Sequence, residues 1–366
     1  MLVDIINNSL KHANLALGQT KMNSKNFRNA IRAIVLVSSF GFCGVAAAST
    51  TVSDGQPSNS PGLAAGLLST TGLNTAGIIG SAVGSFAAGG VSFAGDVRRF
   101  ALPGQGYTGA AAAAGGKPWN AWVAYSRSNV DYTFAPLRSS GNVNVYLGGV
   151  DYTFANNVVF GVAVARDRTD VDLQFSSGKL TGSGTTVAPY IGVPLSKQWA
   201  LDATLGIGRT DVDTVNLGVT GSTTDDRTIG SLGLSYRESI DKWQLTGRGA
   251  YLTVHDKLGA YTLSNGTLVP DGTVNVSQFR LYGQVAYDAG YLVPYVGLSY
   301  INDVRRPDQA PVGGLSAAND NDAWTPVIGV RFKTDGSVYG SVQYSSERNR
   351  SEVKNDQFLF NIGIRF

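Results

Sequence analysis

The chain has 366 residues, a net charge of +3, 15% charged residues, 43% hydrophobic residues and 46 glycines. The positive charge is small and no Lys/Arg-rich run occurs, so a nucleic acid partner is excluded. A composition poor in charge and rich in glycine and tyrosine favours strands and turns over helices.

The N-terminal residues have the parts of a secretory signal peptide. A basic region with Lys25 and Arg28 precedes an apolar stretch, which ends in a small-residue cleavage site near Ala48. We therefore predict a leader over residues 1–48 and export from the cytoplasm. Met22 begins a signal of ordinary length and is a second candidate start.

Residues 49–117 form a short segment of low complexity. Its apolar part, 77–88, is interrupted by glycines, each of which costs a helix about 1 kcal/mol relative to alanine. The segment is predicted to be a pore plug or the remnant of a passenger. A helix with a glycine face that packs closely and a flexible stretch are its structural alternatives.

From residue 118 onwards, apolar and polar side chains alternate in segments separated by turns. A period of two residues indicates β-strands. We predict a barrel domain over 118–366 with about twelve strands, each roughly the ~9–11 residues that a tilted strand needs to cross a bilayer, or longer. The predicted strands are 119–126, 143–154, 158–167, 181–193, 198–211, 226–239, 242–255, 274–288, 291–303, 323–334, 337–346 and 356–366.

The predicted connections alternate between tight turns and long polar loops. The long loops are 127–142, 168–180, 212–225, 256–273, 304–322 and 347–355. Transmembrane barrels combine short periplasmic turns with longer external loops. The pattern therefore predicts an all-β fold, a transmembrane antiparallel β-barrel of about 12 strands.

One face of the predicted strands is apolar and the other is polar, small or charged. An arginine on the lipid face at the bilayer midplane would cost about 2–4 kcal/mol, and the strand arginines all share the polar face. The predicted lumen charges are Arg227, Arg237, Arg248, Arg280, Arg331, Arg365, Asp202 and Asp288. Two interpretations stay open: the arginines pair with acids and water inside a plugged barrel, or they favour anions or guide a polypeptide.

The last predicted strand has an apolar face made of Phe358, Phe360, Ile362, Ile364 and Phe366. Such a face needs a second sheet or lipid as its partner. Aromatic residues at strand ends favour lipid, because their rings are stable at the membrane–water interface. The aromatic residues at strand ends are Trp119, Trp199, Trp243, Tyr291, Trp324 and Phe366.

This region resembles the C-terminal translocator barrel of classical (type V) autotransporters. The resemblance covers 119–366 and rests on the strand number and on four sequence features. These are Gly-Gly-Val-Asp-Tyr at 148–152, Thr-Val-Ala-Pro-Tyr-Ile at 186–191, Trp-Ala-Leu-Asp-Ala at 199–203 and the terminal Phe366.

The resemblance implies a barrel in the bacterial outer membrane that delivers or anchors an N-terminal segment. It also implies outer-membrane lipid and the outer-membrane assembly machinery as partners, with the apolar face of the last strand, Phe358 to Phe366, as the assembly signal. Residues 49–117 contain neither a repeated strand pattern nor an Asn-Asn pair. A large β-helical passenger and self-cleavage are therefore not expected.

Neither catalysis nor a metal or other cofactor is predicted. His255 is the one histidine after the leader, the one cysteine (Cys43) lies in the leader, and no G-x-S-x-G motif occurs. A Ser-His-acid hydrolase and a His- or Cys-ligated metal lack their residues. The predicted function is a pore or anchor for the N-terminal segment. The alternatives are a porin-like channel for small solutes, a surface adhesin acting through external loops, and a soluble secreted β-protein.

Overall fold

The described part of the chain is a closed antiparallel β-barrel of twelve strands. The computed structural model describes residues 118–306, 315, 318, 320–333 and 338–366. Strand β1 (Trp119–Tyr132) pairs with β14 (Val353–Arg365) and closes the barrel, which confirms the predicted fold class. The predicted leader and the segment 49–117 lie outside the described residues.

The barrel strands follow one another around the wall in chain order. They are Trp119–Tyr132 (β1), Ser139–Thr153 (β2), Val159–Leu173 (β3), Gly178–Pro194 (β4), Trp199–Asn216 (β5), Val219–Ile240 (β6), Trp243–Leu258 (β7), Gly272–Tyr287 (β10), Leu292–Arg305 (β11), Asp322–Lys333 (β12), Val338–Glu347 (β13) and Val353–Arg365 (β14). We call the end of the barrel that holds Trp119 and Phe366 the terminal end, and the opposite end the loop end.

The connection between β7 and β10 folds back onto the wall. It contains a two-stranded sheet, β8 (Tyr261–Thr262) and β9 (Leu268–Val269). Ser264 N donates to Thr220 O on β6 (2.8 Å), and Thr220 N donates to Ser264 Oγ (3.0 Å). These bonds satisfy backbone groups of β6 beyond the end of β7.

Helix is limited to one short turn in the described part of the chain. Ala135–Leu137 forms a 3-10 turn between β1 and β2. No helix among the described residues is long and apolar enough to span a membrane.

Three of the predicted loops, 127–142, 168–180 and 212–225, are largely strand, and there the loop prediction was wrong. Residues 212–225 continue β5 and β6 up to a two-residue turn at Leu217 and Gly218, and residues 168–180 contain only a turn at 174–177. Leu217 (φ 50°) and Gly218 (φ 78°) both have positive φ, as the tight type I′ hairpin turn requires. Two paired strands can continue their backbone hydrogen bonds while the polar side chains on both faces of the pair stay in water. A polar sequence alone therefore does not show where a strand ends.

Side-chain burial alternates along the strands with the predicted period of two. In β5, Ala200, Asp202 and Thr204 are buried, whereas Leu205 and Ile207 are 69% and 71% exposed. The exposed apolar side chains form a belt around the barrel, and at the height of this belt the polar and charged residues of the same strands point inward. The lumen is therefore the polar side of the wall.

Aromatic pairs border this belt at both ends, with ring centroids 5.0–5.1 Å apart. At the terminal end they are Trp119–Tyr152, Trp199–Tyr236 and Trp243–Tyr287, and nearer the loop end they are Tyr125–Tyr146 and Tyr300–Trp324. Rings with one polar atom are stable where apolar and aqueous surroundings meet. The aromatic residues therefore mark the two edges of the apolar belt.

Candidate functional site in the barrel lumen

A buried hydrogen-bond network links four strands at the terminal end of the lumen. Tyr190 Oη donates to Asp151 Oδ2 and accepts from Trp122 Nε1, both at 2.9 Å. Asn120 Nδ2 donates to the same carboxylate oxygen (2.9 Å), and Asn120 Oδ1 accepts from Tyr339 Oη (2.8 Å). The network joins β1, β2, β4 and β13 across the lumen and holds that end of the wall together.

The sequence-based site prediction missed this network. A signal was available, because Asp151 lies in the segment 148–152 and Tyr190 lies in the segment 186–191, two of the segments on which the family resemblance rests. The alternation of the strands shows that both side chains point inward. It does not show that strands β2 and β4, which are not adjacent, bring them within hydrogen-bonding distance.

Glycines make room for the rings of this network. A Cβ atom on Gly149 would lie 2.5 Å from Trp122 Cε2, and one on Gly161 would lie 2.5 Å from Tyr190 Cζ. The rings therefore lie flat over the backbone of a neighbouring strand. This close contact requires glycine at both positions.

Arg227 lies among three aspartates nearer the loop end. Its Nε is 2.9 Å from Asp256 Oδ1, its Nη2 is 3.4 Å from Asp225 Oδ2 and its Nη1 is 3.6 Å from Asp167 Oδ1. All four side chains are buried. When all three carboxylates are ionised, the cluster holds more negative than positive charge. Burying this excess charge away from water costs free energy.

The surroundings of this acidic cluster raise the pKa of its carboxyl groups. The outward neighbours at this level, Arg166, Arg209 and Asp226, are charged and exposed, so the cluster lies beyond the apolar belt. Burial, and after it the Asp256 carboxylate, raises the pKa of Asp225 to about 7. Burial also raises the pKa of Asp167. The cluster thus holds a proton more readily than solvated aspartates do.

Arg248 and Asp202 form a second lumen ion pair, with Arg248 Nη2 2.6 Å from Asp202 Oδ2. The pair spans β5 and β7 and crosses β6 at Gly233, where a Cβ atom would lie 2.6 Å from Asp202 Oδ1. The two residues were predicted separately as lumen charges. The structure brings them into direct contact.

Arg280 and Arg331 also face the lumen, and neither makes an ion pair with another of the described residues. Arg280 donates through Nε (3.0 Å) and Nη2 (2.7 Å) to Gln278 Oε1 on its own strand. The Arg331 guanidinium stacks on Tyr295, 4.3 Å from the ring centroid. Its Nε and Nη1 are buried and have no hydrogen-bond partner in the part of the chain that the structure describes.

The structure places the remaining predicted lumen charges at the terminal end. Arg237 and Arg365 are buried on the inner face of β6 and β14. Asp288 differs from the expectation, because β10 ends at Tyr287. Its carboxylate Oδ1 accepts from Gly290 N in the following turn (2.9 Å). An aspartate at this place stabilises a turn, and the strand pattern was extended one residue too far.

The predicted assembly-signal residues share the outer face of β14. Phe358, Ile362, Ile364 and Phe366 are exposed, and Phe360 is half-buried. Their backbones pair with β1 and β13. The side chains therefore stay available to the surroundings of the barrel.

Metal ligands do not come together in the part of the chain that the structure describes. No group of three or more His, Cys, Asp or Glu side chains among those residues is placed to hold a metal ion. His255 lies on the outer face of β7 and contacts Asn275 Oδ1 through Nδ1.

Comparison with known proteins gives this barrel a family. The family model described as the autotransporter beta-domain matches residues 120–345. The translocator domain of autotransporter NalP from Neisseria meningitidis superposes with a TM-score of 0.58 at 12% identity, over 68% of this chain and 89% of that chain. The beta domain of the Bordetella autotransporter BrkA superposes with a TM-score of 0.56 at 15% identity, over 68% and 100%.

No curated protein matches the chain. Barrels of the matching family reside in the bacterial outer membrane, so the exposed belt of this barrel faces lipid. The matched residues, the closed barrel of twelve strands and the superpositions agree. This chain belongs to the autotransporter beta-domain family and is an outer-membrane translocator barrel.

Proposed function

We propose that this translocator barrel serves as the pore and membrane anchor for export or display of its own segment 49–117. The observation that carries the proposal is the polarity of the inner wall, which offers hydrogen bonds and charges along its length. A second support is topology: β1 begins with Trp119 at the terminal end, the end with the short turns that transmembrane barrels place in the periplasm.

A tag test measures display directly. A short epitope inserted after Ser60 of the full chain should be labelled by antibody on intact cells if the segment reaches the surface. The control is the same epitope in the periplasmic turn at Lys197, which should be labelled only after the outer membrane is opened. A tag at Ser60 that needs the same opening would contradict the proposal.

Conductance separates a translocator from an open channel. In planar bilayers, we expect small or unstable currents from the full mature chain and larger ones after deletion of 49–117. A stable, large conductance from the full mature chain would favour a porin-like channel instead. This measurement tests whether the segment restricts the pore, independently of whether it reaches the surface.

We further propose that the lipid-facing residues of β14 are the signal by which the outer-membrane assembly machinery selects the barrel. The support is geometric, because Phe358, Ile362, Ile364 and Phe366 are exposed while the strand's backbone is paired. An assembly factor can contact these side chains only before lipid covers them. The signal would therefore act during insertion.

We also propose that the barrel has no catalytic role. The matched family is a structural barrel, and His255, the one histidine after the leader, lies on the outer face near the loop end. This position separates its imidazole from the lumen carboxylates. Incubation of the purified protein with ester, glycoside and peptide substrates should give no turnover, and His255→Ala should leave membrane assembly unchanged.

A further inference from the structure

The outward side chains change character within one step at the loop end of the apolar belt. Along β3, Val164 is the last exposed apolar side chain, and the next two outward residues are Arg166 and Arg168. On β1 the outward series passes in the same way from Tyr125 to Arg127. We call Arg127, Arg166 and Arg168 the arginine patch. The first charges beyond the belt on these two strands are therefore positive.

The acidic side chains of these two strands lie farther from the belt on the same face. Asp170 and Asp172 follow Arg168 as the next outward residues of β3. On β1, Asp131 lies two outward positions beyond Arg127. Solubility alone does not require charges that are sorted by sign with distance from the lipid. A negatively charged layer next to the belt does favour basic groups there.

Neutral side chains hold two guanidinium groups of the arginine patch in place. Arg127 Nη2 donates to Asn142 Oδ1 on β2 (2.8 Å). Arg166 donates to two hydroxyl groups of β4, from Nη1 to Thr185 Oγ1 (3.0 Å) and from Nη2 to Ser183 Oγ (2.8 Å). Amide and hydroxyl acceptors fix the position of a guanidinium but leave its positive charge uncompensated.

The ion pairs of this outer face join other residues. Lys179 Nζ is 3.0 Å from Asp170 Oδ1, and Arg209 Nε is 3.0 Å from Asp226 Oδ1. Within the part of the chain that the structure describes, the arginine patch makes no ion pair. Its three positive charges therefore remain available to an anion from outside the chain.

The strand register places the members of the arginine patch close together. Arg127 is opposite Asn144 on β2, and Asn144 is opposite Arg168 on β3. The Cα atoms of Arg127 and Arg168 are therefore two strand spacings apart, about 10 Å, and those of Arg166 and Arg168 are about 7 Å apart along β3. Ser183 is opposite Arg168 and accepts from Arg166, so both arginines of β3 lie next to one hydroxyl.

We propose that the arginine patch binds the phosphate group of a membrane-lipid headgroup in the leaflet at the loop end, chiefly through Arg166 and Arg168. The patch begins where the apolar belt ends, and the polar headgroups of a bilayer begin at the same boundary. Guanidinium groups make short, strong hydrogen bonds to phosphate, and the Ser183 hydroxyl keeps its own hydrogen as a further donor. The belt below the patch contacts the acyl chains of the same lipid. The site lies on the outer wall and does not require export of segment 49–117.

The test measures the unfolding temperature of the full mature chain in uncharged detergent micelles by heat-modifiable migration. Dioleoyl phosphatidic acid is titrated into the micelles at constant ionic strength and pH. Dioleoylglycerol, which has the same acyl chains without the phosphate, is titrated in parallel. A ligand that binds only the folded state raises the unfolding temperature. We expect a saturable rise with the phosphatidic acid and a much smaller one with dioleoylglycerol.

Two double variants separate the site from the total charge of the protein. Arg166→Gln/Arg168→Gln should weaken the apparent dissociation constant about thirtyfold, because each basic group at an anionic lipid surface contributes about fivefold. Both side chains are exposed, so this variant should fold as the wild type does. The matched control is Lys197→Gln/Lys242→Gln, which removes two positive charges from exposed turns at the terminal end. It should bind the phosphatidic acid as the wild type does.

Inorganic phosphate distinguishes a lipid headgroup from a free anion. At the same phosphate concentration it should leave the unfolding temperature unchanged, because it has no acyl chains to contact the belt. A saturable rise that Arg166→Gln/Arg168→Gln removes would identify a site for free phosphate and overturn the assignment to lipid. The site itself is overturned if phosphatidic acid raises the temperature no more than dioleoylglycerol does. It is also overturned if the arginine variant binds as the wild type does, or if the lysine control loses as much affinity.

Discussion

At the residue scale, the acidic cluster around Arg227 makes stability depend on pH. The pKa of Asp225 is about 7 in the folded barrel, against an ordinary value of 3.8. The folded state therefore holds this proton more tightly than the unfolded chain does. The resulting stability is complete below about pH 4 and is lost as the pH rises through 7.

The first prediction follows for Asp225→Asn, which keeps an oxygen acceptor for Arg227 without a charge. We expect the free energy of unfolding of the wild type to fall between pH 5 and pH 8, and that of the variant to fall less. Urea unfolding in detergent measures both. Asp213→Asn, on the outer face of β5 and away from the cluster, should keep the wild-type pH dependence. Equal slopes for Asp225→Asn and the wild type would contradict this account.

The second prediction concerns a glycine under an aromatic ring. A Cβ atom on Gly329 would lie 2.5 Å from Tyr295 Cζ and 2.7 Å from Val342 O. Because backbone cannot yield as a side-chain end can, Gly329→Ala should cost about 1–3 kcal/mol of unfolding free energy. Gly283→Ala is the matched control, because its Cβ would meet nothing within 4 Å. A loss in the control equal to that of Gly329→Ala would count against the ring contact as the cause.

At the element scale, the outer face of β5 crosses from lipid to water within the strand. Leu205 lies in the apolar belt, whereas Asp211 lies on the same face beyond Arg209. Leu205→Arg should cost about 2–4 kcal/mol in lipid bilayers, and Asp211→Arg should cost little. Refolding and urea unfolding in vesicles measure the two values. Similar costs would place the lipid boundary elsewhere along β5.

The last strand gives the fourth prediction. Phe366 bonds to Trp119 only through backbone atoms, N to O at 3.0 Å and O to N at 3.2 Å. Phe366→Ser should therefore leave the refolded barrel nearly as stable as the wild type while lowering the amount assembled in cells several-fold. Tyr344→Ser, an exposed outward aromatic on β13, is the control. Normal assembly of Phe366→Ser in cells would refute the signal.

At the scale of the whole molecule, closure of the sheet accounts for stability in lipid. Every barrel strand has a partner on both sides, so no unpaired edge faces hydrocarbon. We expect the folded protein to migrate differently on a gel before and after boiling, and to stay insoluble without detergent. Identical migration of the boiled and the unboiled protein would show that the sheet does not close into a barrel.

The sequence by itself determined the strand period, the strand number, the inward parity of the six arginines predicted to face the lumen and the apolar outer belt. The expectation that strand arginines avoid the outer face was wrong for Arg166 and Arg209, which lie on that face beyond the apolar belt. These are local properties, because alternation fixes which face each side chain takes once a strand forms. Strand ends were predicted less well: Leu217-Gly218 gives no strong turn signal, and the polar residues around it were taken for a loop. Asp288 was predicted to lie in the barrel wall for a related reason: the alternation of apolar and polar residues continues past Tyr287 into the turn.

Only the tertiary structure decided which inward side chains meet. Asp151 and Tyr190 lie on strands that are not neighbours, and Arg227 meets Asp167 across two intervening strands. Such contacts depend on the register and the tilt of the strands in the closed barrel. The sequence does not show which residues of two strands lie opposite each other. For the same physical reason, the sequence showed that Arg280 and Arg331 face the lumen, but only the closed barrel showed that Arg280 bonds to Gln278 and that Arg331 stacks on Tyr295.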